Sequence, residues 1–165
     1  MCAAALARHA GARVIGTVRS SAEEPAARTA GAHEVVLNDQ GLVERMKTLA
    51  PDGVDHIVEV AFGANIDADV EMLKLGGSIG AYATDNARPK IPFWLMVFKN
   101  IRVFFLGSDD FSMDAKMAAT RDLNDALQAG WAGFEIGEHL PLAEIARAHE
   151  LVEHPVRRGR VVVTV

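Results

Sequence analysis

The feature that most constrains this chain is a regular exchange between short apolar runs and helix-patterned segments, with glycine at the points of exchange. Residues 1–9 are rich in Ala and Leu, strong helix formers, and Gly11 sits where a helix needs a left-handed stop. Residues 13–18 then read as a strand, and residues 22–30 as a helix that Ser20 or Ser21 caps and Gly31 ends, with Glu23 and Glu24 in its first turn. A short strand follows at 34–37. Apolar residues at helical spacing (Leu42, Val43, Met46, Leu49) predict the next helix, which Pro51-Asp52-Gly53 stops before a strand over 54–60. The pattern repeats as a helix over 65–75, a break at Gly76-Gly77 and a strand over 78–83. Downstream lie a strand over 101–106, a helix over 113–129, a helix over 142–153 and a Val-rich strand over 160–165, expected to be internal to the sheet. Strands separated by helices of this length require right-handed crossovers. The expected fold is therefore α/β: a doubly wound, Rossmann-like, mostly parallel sheet with helices on both faces, in a single domain over 1–165.

Composition narrows the function. Half of the 165 residues are hydrophobic and the net charge is −5, so a real core is available but no basic face for a phosphate backbone. The longest basic run is the Arg157-Arg158 pair, and nucleic acid is excluded as a partner. The apolar stretch over 91–98 is far short of the roughly 20 residues that cross a bilayer, so no membrane partner is expected and the stretch reads as core or contact surface. A lone cysteine, Cys2, forms no internal disulfide, and the six His residues are scattered, so no metal site is expected and a reducing cytoplasm is the expected compartment. No Gly-x-Ser-x-Gly elbow supports a nucleophilic serine.

Specific residues add a resemblance. Ala7-Arg8, Gly11, Arg13-Val14-Ile15-Gly16-Thr17-Val18 and Ala30-Gly31-Ala32-His33-Glu34-Val35-Val36 look like the middle of the quinone oxidoreductase (zeta-crystallin-like) branch of the medium-chain dehydrogenase/reductase superfamily. So, in order and spacing, do Gly53-Val54-Asp55-His56-Ile57-Val58-Glu59-Val60, Gly76-Gly77, Ala126-Leu127-Gln128-Ala129-Gly130, Leu140-Pro141-Leu142, Ala146-Arg147-Ala148-His149-Glu150 and Gly159-Arg160. The resemblance implies a nucleotide-binding portion, truncated at its N-terminus, with the catalytic GroES-like domain and the first strand with its glycine-rich loop lying before Met1. Met1 itself falls in a first helical turn without a capping residue.

By that resemblance the cofactor is NADPH, with NADH the less favoured alternative. Arg19-Ser20 stand at the end of the first visible strand, where an acid would suit NAD and a guanidinium suits a 2′-phosphate; the bland reading is an exposed surface Arg. Asn38 resembles the position that contacts the adenosine end, with Asx-turn chemistry in 38–41 as its alternative. Gly63 lies in the loop the resemblance places along the nicotinamide, or is a turn glycine needing an unusual φ. Tyr82-Ala83-Thr84 and Gly107-Ser108-Asp109 resemble the two remaining nicotinamide-contacting segments, although the acids Asp85, Asp109 and Asp110 are unwelcome beside phosphates. No catalytic residue is named, because the quinone or carbonyl substrate would bind only with the preceding domain. The expected activity of the whole is hydride transfer from NADPH to a quinone, enone or carbonyl, without zinc. The alternative is an inactive remnant serving as a binding or dimerisation module, and a homodimer would form through the edge strand between Ile101 and Leu106.

Overall fold

A computed structural model describes residues 2–156 and 159–165; Met1 and the Arg157-Arg158 pair lie outside the described residues. The chain divides into two compact units, Ala3–Ala118 and Ala119–Val165.

In the first unit every strand pairing is parallel. Helix α1 (Cys2–His9) leads to β1 (Ile15–Val18), a 3₁₀ turn (Ser21–Glu23), α2 (Glu24–Thr29) and β2 (Glu34–Leu37). β1 and β2 pair in register from Ile15 with Glu34 to Val18 with Leu37. After α3 (Leu42–Leu49), β3 (Val54–Glu59), α4 (Phe62–Met72), β4 (Leu73–Ala81), α5 (Phe93–Phe98) and β5 (Arg102–Phe105) form a second sheet in the order β3-β4-β5. The α/β alternation read from the sequence is therefore present, strand by strand. β4 opens at Leu73 rather than at Ser78, because Leu73 already bridges Val54 before a register shift. Gly53 makes the preceding turn possible: its φ is +84°, and a Cβ there would stand 2.5 Å from the Lys74 backbone nitrogen.

Side-chain alternation decides where the core sits. Ile57 of β3, Ile79 and Ala81 of β4 and Val103 of β5 face α4 and α5, and Phe62, Ile66 and Val70 of α4 with Leu73 of β4 complete a buried cluster. A neighbouring cluster of Val36, Leu42, Met46 and Met72 draws in Ile15 of β1 together with Val54 and Ile57 of β3. The two sheets thus share one core while β1 and β3 each keep an edge without a strand partner among the described residues. On the opposite face of the second sheet Val58 and Phe104 are each 50 % exposed. The 91–98 segment ends in the helix α5, whose Phe93, Trp94 and Phe98 are exposed rather than buried, Phe93 meeting Trp94 edge-on and Trp94 stacking on Phe98.

The helix α6 (Met113–Gln128) carries the chain into the second unit, where β6 (Ile136–Pro141), a 3₁₀ turn (Leu142–Glu144), α7 (Ile145–Glu153) and β7 (Arg160–Thr164) follow. Among the described residues β7 pairs with β6 alone, in parallel. The Val-rich closing strand is therefore one half of a separate two-stranded sheet and not an internal strand of the larger one. Its near-continuous Val run satisfies a buried strand and a short sheet backed by α7 equally well, which is why the sequence misplaced it. β6 escaped notice because Glu138, His139 and Pro141 interrupt its apolar alternation.

Candidate functional site

All ten residues singled out in the sequence lie at or just beyond the carboxyl ends of the five strands of the first unit, the edge at which doubly wound sheets receive ligands. They fall into two groups of different character.

At the β1–β2 end, the Asn38 amide donates to the Val18 carbonyl at 2.7 Å, which sets Asn38 beside Arg19. The Arg19 backbone N–H donates to Glu23 Oε2 at 3.0 Å, while its exposed guanidinium has no hydrogen bond or ion pair among the described residues. Ser20 is committed to the backbone: its Oγ accepts from the Ala22 amide at 3.3 Å and caps the 3₁₀ turn. The Asx turn in 38–41 belongs to Asp39, whose Oδ1 accepts from the Gly41 amide at 2.8 Å and pairs with Arg45. The Arg45 guanidinium and the Gly41 N–H hold the Asp39 carboxyl below its usual range. Asn38 keeps its side chain exposed.

At the β3–β4 end the two connections are laced together. The Gly63 amide donates to Thr84 Oγ1 at 3.1 Å, Thr84 Oγ1 accepts from the Asn86 amide, and the Phe62 amide donates to the Ala83 carbonyl at 3.2 Å. Gly63 is a helical residue of α4 without a positive φ, so an unusual backbone angle is not its reason for being glycine. Close approach is the reason: a Cβ would lie 2.8 Å from Asp85 Oδ1 and 2.9 Å from Thr84 Oγ1. The Tyr82 amide donates to the Glu59 carbonyl at 3.2 Å, and the Tyr82 side chain is exposed. Gly107, Ser108 and Asp109 form an exposed turn after β5, where Lys116 Nζ donates to the Asp109 carbonyl at 2.8 Å.

Beneath Gly63 lies a constellation that sequence reasoning missed. Glu59 and Asp69 are buried, 6 % and 3 % exposed. Glu59 Oε1 accepts from the Val60 amide at 2.7 Å and from the Ala61 amide, and Asn65 Nδ2 donates to Oε2 at 3.1 Å. Asp69 Oδ2 has no hydrogen-bond partner among the described residues. Burial, with the Glu59 charge beside it, pushes the Asp69 carboxyl up to about 8. The signal was available: Glu59 alternates in step with the inward-facing Ile57, and Asp69 falls one turn from Ile66 and two from Phe62 on the buried face of α4.

Against this geometry the relatives of the chain can be placed. A family profile described as zinc-binding dehydrogenase matches residues 1–120, which is most of the chain. The chain belongs to the zinc-binding dehydrogenase family. Within this family it resembles the quinone oxidoreductases: that of Rattus norvegicus is 28 % identical over 155 residues, covering 90 % of this chain and 46 % of the rat protein. The human quinone oxidoreductase is 24 % identical over 160 residues, covering 93 % and 47 %. Among solved structures, a 2-haloacrylate reductase superposes with a TM-score of 0.87 at 23 % identity, over 98 % of this chain and 52 % of its own. An Escherichia coli quinone oxidoreductase complexed with NADPH does so with a TM-score of 0.79 at 21 % identity, over 99 % and 53 %. The Rossmann-like fold and the medium-chain dehydrogenase assignment are thereby established, and this family member spans about half the length of the curated relatives it matches.

The family's name raises the question of zinc. Among the described residues no three His, Cys, Asp or Glu side chains come together in a way that would hold a metal ion, and the one cysteine lies in α1. No helix among the described residues is long and apolar enough to cross a membrane.

Proposed function

We propose that the chain, as one dinucleotide-binding-type portion over 1–165, is the nucleotide-binding part of an NADPH-dependent oxidoreductase that passes hydride to a quinone, enone or carbonyl acceptor. The observation that carries the reading is Arg19: an unengaged guanidinium at the end of β1, beside Asn38 and at the strand edge where such sheets bind dinucleotides. Its planar fork matches the oxygens of a 2′-phosphate. Asn38 offers an amide to the adenosine end, and Ser20 shapes the turn that presents Arg19. Gly63, Ala83 and Thr84, with Tyr82 at their side, give the nicotinamide half a firm wall, and Gly107, Ser108 and Asp109 border it. The nicotinamide supplies the hydride when bound, and the chain's own residues bind and orient it. The quinone or carbonyl pocket needs a partner domain beyond these residues, and the chemistry is zinc-independent and cytoplasmic in this reading. No residue of this chain is assigned a catalytic role.

Calorimetric titration with NADPH and NADH tests the proposal. NADPH is expected to bind more tightly, and Arg19→Glu to weaken NADPH at least about tenfold, equivalent to about 1.4 kcal/mol. Equal affinity for the two dinucleotides, or an Arg19→Glu variant that binds NADPH unchanged, would overturn the assignment.

A second reading has its own support. β5 has an outer edge without a strand partner among the described residues, and Phe93, Trp94, Phe98 and Phe105 nearby are each more than half exposed. In this reading the chain is a non-catalytic module that pairs with its twin through the edge strand between Ile101 and Leu106. Sedimentation that finds only monomer at tens of micromolar would remove it.

A further inference from the structure

The buried acids at the β3–α4 junction carry an inference that rests on the nucleotide-site reading and deepens it. Two carboxyls inside one apolar cluster cannot both be ionised without a cation, and the ion pairs among the described residues include neither of them. The hydrogen bonds decide which one keeps the charge. Glu59 accepts from two backbone amides and from Asn65, the surroundings of a carboxylate. Asp69 is buried beside Glu59 and has an oxygen with no hydrogen-bond partner among the described residues, the surroundings of a neutral acid.

We propose that Asp69 is a positioning residue for the nucleotide site: it stands uncharged, donates its carboxyl hydrogen to Glu59, and thereby holds the 60–65 turn that presents Gly63. Asp69 fixes Glu59; Glu59 fixes the amides of Val60 and Ala61 and the side chain of Asn65; the same turn offers the Gly63 amide to Thr84. Removing the proton places two like charges in a site that excludes water, and the turn is the part able to yield. Other ionisable groups around the pair are occupied elsewhere. On β3 and β4, Asp55 pairs with Lys74 and His56 bonds to Ser78. On α3, Glu44 pairs with Lys47 and Arg45 with Asp39, and after α5, Lys99 Nζ donates to the Val70 and Glu71 carbonyls. Asp67 and Glu71 of α4 are exposed. The upward shift of the Asp69 carboxyl to about 8 agrees with this arrangement and locates the transition.

The test follows the Val60 and Ala61 amide resonances of the full chain from pH 6 to 9.5, beside NADPH titrations at pH 7 and 9.5. In the parent chain both amides are expected to move with a midpoint near 8, and NADPH affinity to fall about tenfold across it. Asp69→Asn keeps a donor toward Glu59 but cannot ionise, so its amides and its NADPH affinity are expected to be flat. Glu59→Gln removes the neighbouring charge and is expected to shift the Asp69 midpoint to lower pH, a second reading if Asp69→Asn fails to fold. Amides that do not titrate, or that titrate unchanged in Asp69→Asn, overturn the proposal, as does NADPH affinity that ignores the amide midpoint. Failure of NADPH to bind at any pH would instead defeat the nucleotide reading, while the amides still decide whether Asp69 holds the turn.

Discussion

The two halves of the strand-end edge solve opposite problems. At the β1–β2 end the polar groups stand in solvent: Arg19 and Asn38 are exposed, the Asp39–Arg45 pair is exposed, and little but local backbone bonding holds them. At the β3–β4 end polar groups are taken into the core, where Glu59 and Asp69 are almost fully covered and Glu59 fixes the Val60 and Ala61 amides. The first arrangement costs little and leaves charge available to a ligand. The second gives up stability for a fixed shape, because burying a carboxyl beside another is unfavourable unless one is neutral. Affinity and geometry are thus assigned to different places along one edge.

The largest effect that would break this comparison concerns Asp69. Its folded-state value of about 8 lies above the 3.8 of an unperturbed Asp, so between those values the folded chain binds the extra proton and stability falls as pH rises through the window. Asp69→Asn removes that dependence. The variant is expected to gain roughly 3–5 kcal/mol relative to the parent between pH 4 and pH 8, read from urea denaturation at each pH. Parallel stability curves for parent and variant would mean that the site is not strained as argued.

Next in size is packing under the turn. Ile66 is 1 % exposed in the α4 cluster, and Ile66→Ala is expected to cost about 2–5 kcal/mol by thermal unfolding. A loss below about 1 kcal/mol would show a loose junction. Gly63→Ala comes third: the added Cβ meets Asp85 and Thr84 side-chain oxygens that can give way, so about 1 kcal/mol is expected, with the larger change in the Thr84 and Asn86 resonances. The smallest effects belong to the open end, where Arg19→Ala and Asn38→Ala are each expected to alter stability by no more than about 0.5 kcal/mol. A loss above about 1 kcal/mol in either would show that the open end is structural after all.

Much of this was legible in the residues. The glycines at 31, 53 and 76–77 and the apolar periods between them placed every strand of the first unit, because in a parallel α/β fold local pattern and global topology agree. Arg19 and Asn38 could be picked out because a position just past a strand's carboxyl end follows directly from knowing where the strand stops. Gly63 was picked out too, as a small residue in the loop along the nicotinamide half; its turn alternative needed a backbone angle that it does not adopt, and the Asp85 and Thr84 side chains that exclude a Cβ arrive from about twenty positions downstream. The Asx turn read in 38–41 as the alternative for Asn38 is made by Asp39, and only the folded chain sets Arg45 against it.

The sequence by itself determined the order and kind of the elements, the family they belong to, and the edge where polar residues would gather, because these depend on periodicity and on residues near one another in the chain. Only the tertiary structure decided that β7 joins β6 in a sheet of its own and that β1 and β3 share a core while each keeps an open edge. It alone also decided that Glu59 and Asp69, ten positions apart, meet where water is excluded. Partner choice and protonation depend on distance and dielectric in three dimensions, and a sequence pattern carries neither.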